Sequence, residues 1–301
     1  MDWFTQIADA LTSPLLQRAL IAALIVGATA PVVGTYLVQR RLSLLGDGVG
    51  HVALTGVAMG WLVGSWTHAQ PNDAYAVIGA VIAAIIGAVL IEIVSARGRT
   101  SGDVALALLF YGGIAGGVVI ISLAGGTNAN LMAYLFGSLS TVSTGDLVTT
   151  AVMSGLILLV GIGLRTALFA VSHDQEFARS SGLPVRLLTI LIAVVAALTV
   201  TASMRVVGLL LVSALMIVPV AIAQQLTSSF RRTMTAAMVI GAVVCVGGLL
   251  ITFTEPLAPG ATIVVLAVTV YAGVATIRAV VRPRRERGVD PHPDMADDVH
   301  V

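Results

Sequence analysis

Apolar residues follow one another in nine long stretches, at 17–39, 49–66, 74–95, 104–124, 146–164, 187–204, 206–225, 234–253 and 261–281, separated by short polar or glycine-containing breaks. Stretches of roughly 17 to 25 apolar residues are long enough for a helix to cross a hydrocarbon core. They lack the apolar–polar alternation of barrel strands, and open backbone cannot face lipid. The pattern therefore predicts an all-α, polytopic bundle of about nine transmembrane helices. Met1 to Pro14 carries no basic n-region, so the first stretch is expected to be a permanent span rather than a cleaved leader.

Composition supports that solvent. Hydrophobic residues make up 57% and charged residues 10%, and the mean hydropathy is +1.01, too little polarity to cover a water-soluble surface. All 16 basic positions are Arg, and all but Arg18 and Arg205 fall on alternate loops or the helix ends facing them. By the positive-inside rule those loops are cytoplasmic, which predicts an outside N-terminus and a cytoplasmic C-terminus. The membrane domain is expected over 1–282. The polar, Pro-containing 283–301 is expected to be a disordered cytoplasmic tail. Membrane lipid is the expected surrounding, and no nucleic-acid partner is expected.

Several activities are excluded. A chain without Lys has no Gly-x-x-x-x-Gly-Lys loop and cannot be a P-loop ATPase by itself. There is no His-Glu-x-x-His and no Ser nucleophile turn, so nothing points to a hydrolase, and the chain is expected not to be an enzyme. Glu92 lies near a cytoplasmic helix end where Arg97 could pair with it, which leaves no mid-membrane charge relay of the kind a secondary transporter needs. Cys245 stands in an apolar run and is expected to be packed. The pair Gly112-Gly113 with Gly116-Gly117 is expected to let helix backbones approach closely.

Two stretches carry chemistry. In Arg40-Arg41-Leu42-Ser43-Leu44-Leu45-Gly46-Asp47-Gly48-Val49-Gly50-His51, Asp47 and His51 fall one helical turn apart on one face, within reach of a single divalent cation. An ionisable pair in a membrane segment is functional by default. The alternatives are that Asp47 caps the second span and that His51 is a structural histidine bonded across helices. Asp103, at the start of the fourth span, is a further ligand candidate or a cap. The second stretch, His173 to Arg186, predicts a short helix capped by Asp174 or Ser172, carrying Phe177, ended before Gly182 and followed by Pro184. It is either a solvated loop or a knob that docks into a partner. His68, Asp73 and Glu255 fall in outer loops, and His292, Asp294, Asp297, Asp298 and His300 make a metal-attracting tail.

Five signatures in order then resemble the membrane permeases of the ABC-3 family, bacterial ABC importers of zinc, manganese and iron(II). They are Arg41 to Asp47 with His51; Leu135-Phe136-Gly137-Ser138; Asp174-Gln175-Glu176-Phe177-Ala178 with Gly182; Arg205-Val206-Val207-Gly208-Leu209 running to Pro219; and Pro259-Gly260-Ala261-Thr262-Ile263-Val264. The resemblance covers about residues 15 to 282. It departs at Gly50-His51-Val52 and Leu54-Thr55-Gly56, where the family usually has Ser-His-Ala and Leu-Pro-Gly, so the kink that a Pro would bring is not expected near His51.

The resemblance implies a permease subunit in the bacterial plasma membrane. It would work by alternating access with a second copy of itself, two cytoplasmic ABC ATPase subunits and an extracytoplasmic metal-binding protein. Asp47, His51 and Asp103 would ligate the passing ion, and Asp174, Glu176, Phe177, Ala178 and Gly182 would form the segment that couples to the ATPase. No cofactor is expected to be bound permanently; the divalent ion is cargo. Nitrogen and carboxylate ligands suit zinc, manganese and iron(II) alike, so the sequence does not choose among them. The alternatives are a permease for iron chelates or cobalamin, and a membrane scaffold subunit that transports nothing.

Overall fold

The computed structural model describes residues 13–68, 75–96, 102–125, 132, 134–137, 142–204, 207–209, 211–254 and 257–281; the expected tail lies outside them. These residues form eleven α-helices: α1 (Pro14–Gln39), α2 (Leu45–Trp66), α3 (Ala76–Ala96), α4 (Gly102–Leu123), α5 (Thr144–Gly163), α6 (Arg165–His173), α7 (Gln175–Ser180), α8 (Val185–Ser203), α9 (Val212–Leu226), α10 (Phe230–Thr254) and α11 (Pro259–Val281). Eight are long and apolar enough to cross a membrane: α1 to α5, α8, α10 and α11. Local chemistry sets several of their ends. Pro14 opens α1 and Pro259 opens α11, where a missing N–H costs nothing. Ser143 and Asp146 form a reciprocal capping box at the start of α5.

Burial sorts the spans into a centre and a rim. The most apolar windows of α1, α2 and α8 are 72%, 67% and 67% buried, against 22% for α4 and α5 and 11% for α11. On α3, Ala76, Ala80, Ala84 and Ala88 are fully buried, while Ile78, Ile82, Ile86 and Leu90, also four apart, are about half exposed. A helix repeats its faces at that spacing. Small residues face the neighbours and let backbones close in, while large aliphatic ones face outward. The strongest packings are α2 with α4, α2 with α3, and α1 with α10.

One expected span differs. The stretch 206–225 yields α9, only 15 residues, or about 22 Å of helix, short of the ~30 Å hydrocarbon core. Before it, Val207 to Leu209 leave helical geometry. Gly208 has φ +90, Leu209 N–H donates to the Tyr134 carbonyl at 3.0 Å, and a Cβ on Gly208 would stand 2.5 Å from Gly137 N. Gly260 closes the junction, since a Cβ there would stand 2.8 Å from the Phe136 carbonyl oxygen and collide with that of Val207. Three of the stretches singled out in the sequence thus meet at one point. Irregular backbone deep in a membrane protein is tolerated where protein covers it, as here. Periodicity counts apolar residues and does not register where a helix starts inside an apolar run.

Candidate functional site

Asp47 lies in the first turn of α2, half-buried, and the Ser213 hydroxyl in the first turn of α9 donates to its Oδ1. His51, one turn on, is 4% exposed. Its ring meets Phe110 of α4 edge-on, with centroids 4.2 Å apart and planes at 77°. Nδ1 of His51 is buried with no hydrogen-bond partner among the described residues. Buried polar atoms are normally satisfied, so an unpaired imidazole nitrogen one turn from a carboxylate calls for an explanation.

Small residues on α2 and α4 set the walls around this pair. On one side, a Cβ at Gly46 would stand 3.4 Å from Ser213 Cβ, and one at Gly50 would stand 3.5 Å from the Leu209 carbonyl oxygen. On the other side Gly48 packs on the Leu106 side chain, and Gly113 lies so close that a Cβ there would be 2.5 Å from the carbonyl carbon of His51. The Thr55 hydroxyl donates to the Gly113 carbonyl at 2.8 Å. That threonine stands where the resemblance expects Pro, and α2 runs unbroken through it, so an interhelix hydrogen bond replaces the kink.

Asp103 is in the first turn of α4, and its side chain lies outside the described residues. The backbone register is clear. Leu106 meets Gly48, Gly113 meets His51 and Gly117 meets Leu54, so α2 and α4 run parallel and Asp103 starts α4 at the Asp47 end. Among the described residues, no three of His, Cys, Asp and Glu come together. One chain brings two of its candidate ligands side by side, Asp47 and His51.

The expected short helix is present as α7. Asp174 Oδ1 accepts from the N–H groups of Glu176 and Phe177 at 2.9 and 3.0 Å. At the other end Gly182 takes φ +78, while Gly182 N–H donates to the Arg179 carbonyl and Leu183 N–H to that of Ala178, the double bond of a Schellman stop. Ala178 is fully buried, Phe177 is 64% exposed, and Glu176 is exposed. Gln39 at the end of α1 bonds His173 Nδ1 at 2.8 Å, which ties the segment to the helix leading into Asp47. Glu92 meets Arg40 at 3.6 Å; Arg97, the partner expected from sequence, lies outside the described residues. Arg40, Arg41, Glu92, His173 and Gln175 line a cleft of about 680 Å³ between these elements.

Of the remaining candidates, His68 is exposed beyond α2 and Cys245 is fully buried, as expected. Asp73, Glu255 and the His/Asp tail lie outside the described residues. Sequence reasoning missed Ser213 and Phe110, and met Thr55 only as a departure from the family's Pro, not as an interhelix donor. The trace that could have pointed to Ser213 is a lone hydroxyl inside Leu209-Leu210-Leu211-Val212-Ser213-Ala214-Leu215-Met216.

The ABC 3 transport family matches residues 12–278. The chain belongs to the ABC 3 transport family. Relatives in that family include "Manganese transport system membrane protein MntC" of Halalkalibacterium halodurans, 32% identical over 257 residues and 85% of each chain. Another is "Chelated iron transport system membrane protein YfeD" of Yersinia pestis, 31% identical over 288 residues, 96% of this chain and 93% of the relative. Among solved structures, "PsaBC from Streptococcus pneumoniae in complex with Fab" superposes with TM-score 0.80 at 28% identity, over 90% of this chain and 95% of that one. As an ABC 3 member with eight membrane-length helices among its described residues, the chain is a multi-pass bacterial membrane protein.

Proposed function

We propose that this chain is the permease subunit of an ABC importer that carries divalent transition-metal ions, zinc, manganese or iron(II), into the cell by alternating access. The observation that carries this reading is the Asp47–His51 turn in an ABC 3 chain, with an imidazole nitrogen buried and unpaired beside a carboxylate. Two N/O ligands per subunit, completed by water, Asp103 or a second copy, hold an ion weakly enough to release it, unlike a closed tetrahedral site. The name of the manganese relative points to the same class of cargo, while that of the chelated-iron relative points to the iron-chelate alternative. Tight packing around His51, with Phe110 on its ring and α4 on its backbone, favours a bare ion over a bulky chelate or cobalamin.

The division of labour follows from the chain's own residues. It has no Lys for a phosphate loop, so two cytoplasmic ATPase subunits supply hydrolysis. The capped, anchored α7 with its exposed Phe177 is the surface on which ATPase closure acts. From there the Gln39–His173 contact leads to the turn before Asp47. An extracytoplasmic binding protein delivers the ion at the opposite end; the N-terminus lies outside and the C-terminus in the cytoplasm, with α9 and the irregular segment ahead of it making the ninth crossing, an orientation the Arg distribution favours.

Proteoliposomes containing this chain, its ATPase and its binding protein test the proposal, with manganese, zinc and iron(II) compared at equal free concentration. Asp47→Ala and His51→Ala should each bring uptake to background while the complex still assembles. Undiminished uptake in both variants removes the pair from the mechanism.

A further inference from the structure

Asp47 is held by another part of the chain, 166 residues away in sequence. A carboxylate in a low-dielectric bundle needs partners, and the Ser213 hydroxyl supplies one by donating to Oδ1. Ser213 is itself 9% exposed, and α9 packs on α2 at that level, where a Cβ on Gly46 would be in ordinary van der Waals contact with Ser213 Cβ at 3.4 Å.

The start of α9 is fixed as well. Leu209, four residues earlier, bonds Tyr134 through its N–H and brings its carbonyl against Gly50. Gly208 and Gly260 close the junction beneath. Ser213 also occupies the second position of α9, where the unpaired N–H groups of a helix give its end a positive character that favours a neighbouring carboxylate. An Asp side chain on an isolated helix would rotate between staggered positions. With Oδ1 bound to Ser213, the carboxylate is held on the residue one helical turn before His51, whose Nδ1 is unpaired among the described residues.

We propose that Ser213 is a positioning residue of the ion path: its hydroxyl fixes the Asp47 carboxylate in the orientation that lets Asp47 and His51 hold one cation together, and ties that ligand pair to the broken segment ahead of α9. Ser213 does not itself ligate the ion. This inference rests on Asp47 and His51 being the ion's ligands, and the measurement below separates failure of the two ideas.

The test is equilibrium dialysis of Mn²⁺ and of Zn²⁺ against the full chain assembled with its ATPase in lipid nanodiscs, without the binding protein. Wild type is compared with Ser213→Ala, Ser213→Thr, Asp47→Ala and His51→Ala, and the thermal midpoint is recorded for each. Asp47→Ala and His51→Ala should remove the saturable site. Ser213→Ala should keep the site and the thermal midpoint but weaken binding about tenfold, the scale of one hydrogen bond to a charged group. Ser213→Thr, which keeps the hydroxyl, should recover more than half of that loss on a logarithmic scale. Wild-type affinity in Ser213→Ala alongside lost binding in the Asp47 and His51 variants overturns the Ser213 assignment alone. A lowered thermal midpoint in Ser213→Ala with unchanged affinity makes the residue structural and overturns it too. If Asp47→Ala and His51→Ala bind as wild type does, the ligand assignment falls and the inference with it.

Discussion

Gly113→Ala is the sharpest test of the geometry around His51. The added methyl would stand 2.5 Å from the carbonyl carbon of His51, 2.6 Å from its oxygen and 2.7 Å from Val52 N. These are backbone atoms and cannot swing aside, so α2 and α4 must separate by close to an ångström. Overpacking of this kind costs about 1–3 kcal/mol. Separation also stretches the 2.8 Å bond from Thr55 to the Gly113 carbonyl, and interhelix hydrogen bonds in membranes average about 0.6 kcal/mol. The sum is about 2–4 kcal/mol.

Gly112→Ala is the matched control, because nothing lies within 4 Å of the methyl it would add. It should stay within about 0.5 kcal/mol of wild type. The assay heats detergent-purified protein and follows the monodisperse fraction, with ion uptake measured in parallel. Gly113→Ala should lower the midpoint by about 5 °C or more and reduce uptake through the displaced His51, and Gly112→Ala should do neither. Equal behaviour of the two variants refutes the close approach of α4 to His51.

Three further outcomes are expected. Glu92→Ala leaves the Arg40 guanidinium, whose side chain is 8% exposed, buried without its partner; it should cost about 3 kcal/mol in thermal or denaturant unfolding, and the apolar double variant Arg40→Met with Glu92→Leu should recover most of it. Phe177→Ala removes an exposed aromatic from a capped helix and should weaken pull-down of the ATPase by about 2 kcal/mol, with hydrolysis uncoupled from uptake; unchanged association removes α7 from the coupling interface. Reporters fused after Gly98 or Arg287 should be cytoplasmic, and those inserted near Gln70 or after Glu255 external; reversed labelling at any of these sites breaks the orientation.

Local physics made some features of this protein legible from its sequence alone. Among the described residues, eight of the nine long apolar stretches form membrane-length helices, because an apolar run of that length matches the hydrocarbon core. Residues four apart share a helix face, so their spacing is enough to put Asp47 and His51 together. Asp174 and Gly182 delimit α7 because capping involves only the backbone groups of one or two turns. The tertiary structure decided everything that depends on which helix faces which. Ser213 reaches Asp47 and Arg40 reaches Glu92, the Gly208 junction shortens α9, and Gly113 touches a neighbour while Gly112 touches none. In water, the hydrophobic pattern marks the buried face of a helix. In a bilayer, lipid and protein interior are equally apolar, so leucines and isoleucines on a span do not say which side is inside. Packing of small residues and the pairing of a few polar groups make that choice, and those partners lie on other helices.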